Sequence, residues 1–187
     1  QHILLSVHKQ DVHLLPVLLQ LRENVRQKRQ GLAASDINPH NGNGGWACIR
    51  YGVGETLFRF TDSMELEPWL AKGYERVDDL TWVITLQDGV TFTSGRAMDG
   101  EAVKECLEAL VDTHVRAAGD LHIASITAQD QTVTIKTQVP VPALNFLADP
   151  YACIVDMQAG VTQEGIVSGT GPYRAVSLVP DTSLGLV

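Results

Sequence analysis

Between residues 81 and 87 large apolar side chains take every second position: Trp82, Ile84 and Leu86 are set against Thr81, Val83 and Thr85. A period of two predicts a strand with one buried face. Asp88-Gly89 is a turn signal, predicted to reverse this strand into Val90-Thr-Phe-Thr93. The period then changes. After Asp99, which reads as an N-cap, Val103, Cys106, Leu107, Leu110 and Val111 recur at helical spacing, while Glu101, Lys104, Glu105 and Glu108 fall on the opposite side. Alternation returns over 132–138, with Val133 and Ile135 inward, behind the turn Ala128-Gln-Asp-Gln131. The remaining pattern predicts a proline-started helix over 140–147, a buried strand over 151–156, and a closing pair of strands over 174–179 and 184–187.

The first part of the chain is organised differently. Residues 3–7 read as a short strand, and 14–30 as an amphipathic helix with Leu15, Leu18, Leu19 and Arg22 on one side. Its basic end, Arg26, Lys28 and Arg29, could meet a membrane surface or partner, but a terminal helix packed on the domain is the simpler expectation. Residues 35–45 form a loop dense in turn formers. From 46 to 60 a helix is expected to run into an extended segment, and Pro68-Trp-Leu-Ala-Lys72 to begin a new element. Helices and strands thus mix in an α+β chain, divided into an extension over 1–34 and a domain over 35–187.

Composition narrows the function classes. With 187 residues, 44% hydrophobic and 19% charged, the chain can bury a sizeable core. Its formal net charge of −8 argues against a nucleic-acid partner, since phosphate contacts need a basic face. Cys48, Cys106 and Cys153 share no metal or redox spacing, and Cys106 and Cys153 read as small buried hydrophobes. No apolar run approaches the roughly 20 residues of a membrane span. The N-terminus has no signal-peptide pattern, so any export signal is expected to have been removed. No G-x-S-x-G elbow or H-E-x-x-H pair organises catalysis. Asp78-Asp79 and Asp120 read as turn or surface acids, and His2, His8 and His13 do not share a helical face. No catalytic residue, metal site or cofactor is expected.

Five linked segments carry a resemblance. They are Asp36-Ile-Asn-Pro-His40; Glu55-Thr-Leu-Phe-Arg59 followed by Pro68-Trp-Leu-Ala71; the stretch from Leu80 to Phe92; Ser94-Gly95 with Met98-Asp-Gly-Glu-Ala-Val103; and Gly169-Thr-Gly-Pro-Tyr173. In this order they resemble the extracytoplasmic solute-binding proteins of peptide/nickel-type ABC transporters (family 5), nearest the nickel-binding type. The resemblance runs from about Asp36 onward.

The resemblance implies the N-terminal lobe of a two-lobed, type II periplasmic-binding-protein-like fold, a truncated mixed sheet with flanking helices. It implies non-covalent capture of a nickel or other metal chelate or of an oligopeptide by lobe closure, and delivery to a membrane permease from the periplasm or cell surface. It also places residues. Arg116 falls at an arginine that grips a chelate's carboxylates, a role suited to the guanidinium fork. Tyr151 stands where a second arginine is expected. His40, Trp46 and Tyr151 are expected to converge on the cleft, and Gly169-Thr-Gly-Pro-Tyr173 to be a structural crossing. Helical spacing, apart from the resemblance, puts His114 on another side of the helix from Arg116, where it is expected to be exposed. A regulatory or protein-interaction module reusing the same lobe is the competing expectation.

Overall fold

The computed structural model describes residues 35–187 together with the backbone of Arg29–Gln30. A four-stranded antiparallel sheet forms the centre, in the order β4 (Ala71–Arg76), β5 (Thr81–Leu86), β7 (Thr132–Thr137), β6 (Ile123–Gln129). The alternation that predicts β5 and β7 is the alternation that buries them: Trp82, Ile84, Leu86, Val133 and Ile135 all point into the core. Helix α2 (Gly100–Thr113) lies on that face and contributes Val103, Cys106, Leu107 and Leu110. The Asp99 carboxylate caps it, accepting from the Ala102 N–H at 2.9 Å. Gly100 is required where it stands, because a Cβ there would lie 2.8 Å from the Asp130 carbonyl oxygen at the β6–β7 turn.

Two smaller sheets flank this centre. β2 (Phe58–Phe60) pairs with β3 (Leu66–Pro68), and β8 (Ala175–Val179) with β9 (Ser183–Leu186), whose far edge takes β1 (Arg29–Gln30). The Gly169–Tyr173 motif crosses the segment 52–54: Gly171 N–H donates to Val53 O at 2.9 Å and Tyr173 N–H to Gly52 O at 3.0 Å. A Cβ on Gly169 would collide with Val53 O, and one on Gly171 with Gly52 O, so the motif is a backbone crossing, as expected.

Several expected elements are corrected. Asp88-Gly89 turns the chain, with Gly89 at φ 72°, but does not make a hairpin with β5. Both edges of β5 are already occupied by β4 and β7, so residues 90–97 form a local loop closed by Met98 N–H to Val90 O at 2.9 Å. Pro68 ends β3 rather than beginning an element, and the next strand starts at Ala71. Residues 151–156 are buried as expected, but they are a 3₁₀ turn (Pro150–Ala152) followed by isolated bridges from Ile154 to Glu55 and from Val155 to Gly169. The helix over 140–147 shortens to α4 (Ala143–Phe146). Every ladder among the described residues is antiparallel, so no parallel pair of a mixed sheet lies among them. The strand over 3–7 and the helix over 14–28 lie outside the described residues; the last two residues assigned to that helix form β1.

Candidate functional site

Three short pieces of chain meet at one edge of the core. The first is α1 (Gly44–Arg50), which follows the glycine-rich loop. The first two residues of α1 are fixed by packing: Gly44 and Gly45 are buried, and a Cβ on Gly45 would collide with Pro150 O. The second is the 3₁₀ turn at Pro150, which begins with Asp149 accepting from the Tyr151 N–H at 3.2 Å. The third joins α2 to α3 (Ala117–Leu121) through His114, Val115 and Arg116.

Their junction is a cleft of about 130 Å³ lined by Gly42, Asn43, Gly45, Trp46, His114, Val115, Arg116, Asp149 and Tyr151. Three of the four expected binding residues therefore come together. Trp46 is 65% exposed and lines the cleft. The Tyr151 ring is buried, and the Arg116 guanidinium lies over it at 5.3 Å. The phenol donates to Asp120 Oδ2 at 3.1 Å; burial and the nearby Asp120 charge raise its pKa, keeping it a neutral donor. Arg116 bonds Asp120 Oδ2 at 3.0 Å and Asp149 Oδ2 at 3.5 Å, and these charges, Asp120 first, raise its pKa further. Its side chain remains 57% exposed. Arg116 stands outside α2, which ends at Thr113, and occupies the N-cap of α3.

Two histidines depart from expectation. His114 is buried, not exposed, because the backbone leaves α2 and becomes extended at this residue (φ −80°, ψ 127°). Its ring packs on Tyr151 with centroids 4.8 Å apart. Nδ1 accepts from the Arg116 N–H at 3.3 Å, so Nε2 carries the proton facing Gly42 O at 3.3 Å. His40 does not line the cleft. It is buried with Nε2 at 3.6 Å from Cys106 Sγ, and burial first, then repulsion from His114 once that ring is protonated, lowers its pKa to about 4.

Asp120 and Asp149 are contributors that sequence reasoning missed in this role. Both left a signal: Arg116 and Asp120 stand at i,i+4, and Asp-Pro at 149–150 marks a capped turn. The cleft thus presents one cation with the Asp149 carboxylate beside it, aromatic residues and backbone groups, while Asp120 holds Arg116 and Tyr151 from outside the lining, an arrangement that suits reversible contact with a polar solute. A groove of about 470 Å³, lined by Leu66, Tyr74, Trp82 and the 140–145 segment, is larger but offers only Arg76 as a charged group. No group of three or more His, Cys, Asp or Glu among the described residues is arranged to hold a metal ion. No helix among them is long and apolar enough to cross a membrane.

Residues 65–187 match the family model of the bacterial extracellular solute-binding proteins, family 5 Middle. The chain belongs to this family. Over 127 residues it is 35% identical to the nickel-binding protein NikA of Staphylococcus aureus, covering 67% of this chain and 26% of that protein. Glutathione-binding protein GsiB of Salmonella paratyphi A is 32% identical over 128 residues, 63% of this chain and 25% of the relative. Among solved structures, a nickel ABC transporter protein from Bacillus halodurans superposes with a TM-score of 0.77 at 32% identity, covering 84% of this chain and 33% of that one. NikA from S. aureus in complex with Ni(L-His)2 gives a TM-score of 0.72 at 30% identity, with 86% and 33% covered. This family 5 chain therefore has part of the α+β, type II periplasmic-binding-protein fold, and spans about a quarter of the curated relatives and a third of the solved ones.

Proposed function

We propose that this chain supplies one wall of the solute site in the binding component of an ABC importer, working outside the cytoplasm and passing its solute to a membrane permease. The observation that carries the reading is the convergence of Trp46, His114, Arg116 and Tyr151 on one cleft from three separate elements. The solute is a metal chelate or short peptide, held without covalent chemistry, and the chain is not an enzyme. Relatives above 30% identity are named for nickel and for glutathione, and one was solved with Ni(L-His)2. Histidine and glutathione both carry carboxylate and ammonium groups. Arg116 matches the carboxylate, while Asp149 beside it matches an ammonium or a chelated cation.

Tyr151 standing where a second arginine is expected makes this grip less basic than a pair of guanidinium groups. The site therefore favours a zwitterionic solute over a polycarboxylate. Capture works by differential affinity: a solute touching this wall and an opposing one stabilises the closed arrangement by the extra contacts it makes there. About two thirds of each solved relative lies beyond the shared region, and in this reading the opposing wall belongs to that remainder. The test is calorimetric titration of the 187-residue chain with nickel(II)–bis-L-histidine and with glutathione. The expected dissociation constant is far weaker than micromolar; a micromolar or tighter value contradicts a site shared between two walls.

A further inference from the structure

Three cysteines with no common spacing in the sequence meet at one point of the core. Cys48 on α1 and Cys153 just after the 3₁₀ turn are fully buried, and their sulfurs lie 3.5 Å apart across 105 residues of chain. Cys106 on α2 is engaged otherwise: its sulfur accepts from the Val155 N–H at 3.4 Å and lies 3.6 Å from His40 Nε2 and 3.7 Å from Cys153 O. Gly54 gives an independent indication of where the pair sits. A Cβ at that position would collide with Cys153 Sγ and stand 2.9 Å from Cys48 Sγ, so the chain leaves the space between them to sulfur alone.

We propose that Cys48 and Cys153 form a disulfide that ties α1 to the Pro150–Ala152 turn, and so fixes against each other the two elements that carry Trp46 and Tyr151. A bond of about 2.05 Å requires the sulfurs to close by roughly 1.5 Å, between two elements already packed together. The oxidant is an external disulfide, acting by exchange. One thiolate attacks it and releases a thiol, the second thiolate displaces the other half, and the two protons lost by Cys48 and Cys153 end on the two released thiols. Once the core has closed, burial leaves neither sulfur in contact with an oxidant, so the exchange belongs to folding, and the finished bond is shielded from reductants. The proposal leans on the family's extracellular setting only for an oxidising compartment.

The experiment is refolding of the 187-residue chain in a glutathione redox buffer, then alkylation under denaturing conditions and peptide mapping. The expected result is a single alkylated cysteine, Cys106, and a peptide joining Cys48 to Cys153 that dithiothreitol cleaves. Cys106→Ser gives the same linked peptide and Cys48→Ala gives none. Reduction lowers the thermal midpoint by roughly 5–15 °C. Three alkylated cysteines after oxidative refolding, or a linked peptide containing Cys106, overturn the proposal. Mapping on the unsubstituted chain decides the matter even if Cys48→Ala fails to fold. No solute enters the assay, so its failure leaves the solute-binding reading standing, and the converse also holds.

Discussion

Replacing Gly45 by alanine tests the junction on which the cleft is built. The new Cβ would collide with Pro150 O and stand 2.9 Å from Tyr151 N. The turn cannot retreat cheaply. Ala152 N–H is bonded to Asp149 O at 2.8 Å, Cys153 N–H to Pro150 O at 3.2 Å, and the Tyr151 ring is held between His114 and Arg116. Overpacking of this kind costs about 1–3 kcal/mol. Helix propensity returns up to about 1 kcal/mol for glycine to alanine. With backbone on both sides of the contact the cost falls at the upper end, so the net loss is about 1–2 kcal/mol, or a fall of roughly 2–8 °C in thermal midpoint for a chain of this size. Gly119 in α3 is the control: it too is helical, but a Cβ there meets nothing within 4 Å. Gly119→Ala therefore gains up to about 1 kcal/mol. Urea and thermal unfolding followed by circular dichroism measure both variants. Equal stabilisation by the two substitutions would refute the packing of α1 against the Tyr151 turn.

Stability should fall with pH in two separate windows. Folding holds His40 neutral by lowering its pKa from 6.5 to about 4, so its contribution is complete above pH 6.5 and is lost as pH falls towards 4, by up to about 3 kcal/mol at 1.36 kcal/mol per pH unit; His40→Gln flattens a plot of urea midpoint against pH over that range. Burial alone would raise the Asp156 pKa, but hydrogen bonds from Ser94 at 2.7 Å and Arg96 at 3.0 Å outweigh it and hold the group below the usual carboxylate range. Its contribution is therefore present above about pH 4 and disappears below, and Asp156→Asn removes that second slope. Asp99→Ala, which deletes the N-cap of α2, should cost about 1 kcal/mol in urea unfolding, and Asp99→Ser should recover most of it.

What the sequence disclosed follows from which residues have one buried face. β5 and β7 are central strands and their side chains alternate in burial, so Trp82, Ile84, Val133 and Ile135 announce them. β4 and β6 are edge strands that bury little: Ala71 in one and Ile126 in the other, with Lys72, Glu75 and Arg76 facing water. Their pattern carries no period to read. The turn at Asp88-Gly89 was legible, but no local signal says which strand edges are free, and pairing between β5 and β7 spans some 50 residues. Arg116, Trp46 and Tyr151 were named through family resemblance, and the fold does bring them to one cleft. His114 was misplaced because counting on a helical wheel assumes that the helix continues, and α2 stops one residue earlier. The sulfur cluster depends on contacts across 47 to 105 residues, which only the folded chain brings together.

The Trp46–Arg116–Tyr151 cleft, as a solute-facing surface, can be tested directly in solution. Nickel(II)–bis-L-histidine is paramagnetic, so titrating it into isotopically labelled chain and recording amide spectra reports where it dwells, even when binding is weak. A solute held at this cleft gives broadening concentrated at Gly42, Gly45, Trp46, Val115, Arg116 and Tyr151, abolished by Arg116→Ala, with a dissociation constant far above micromolar. Broadening that spares these amides, or that survives Arg116→Ala unchanged, would contradict it.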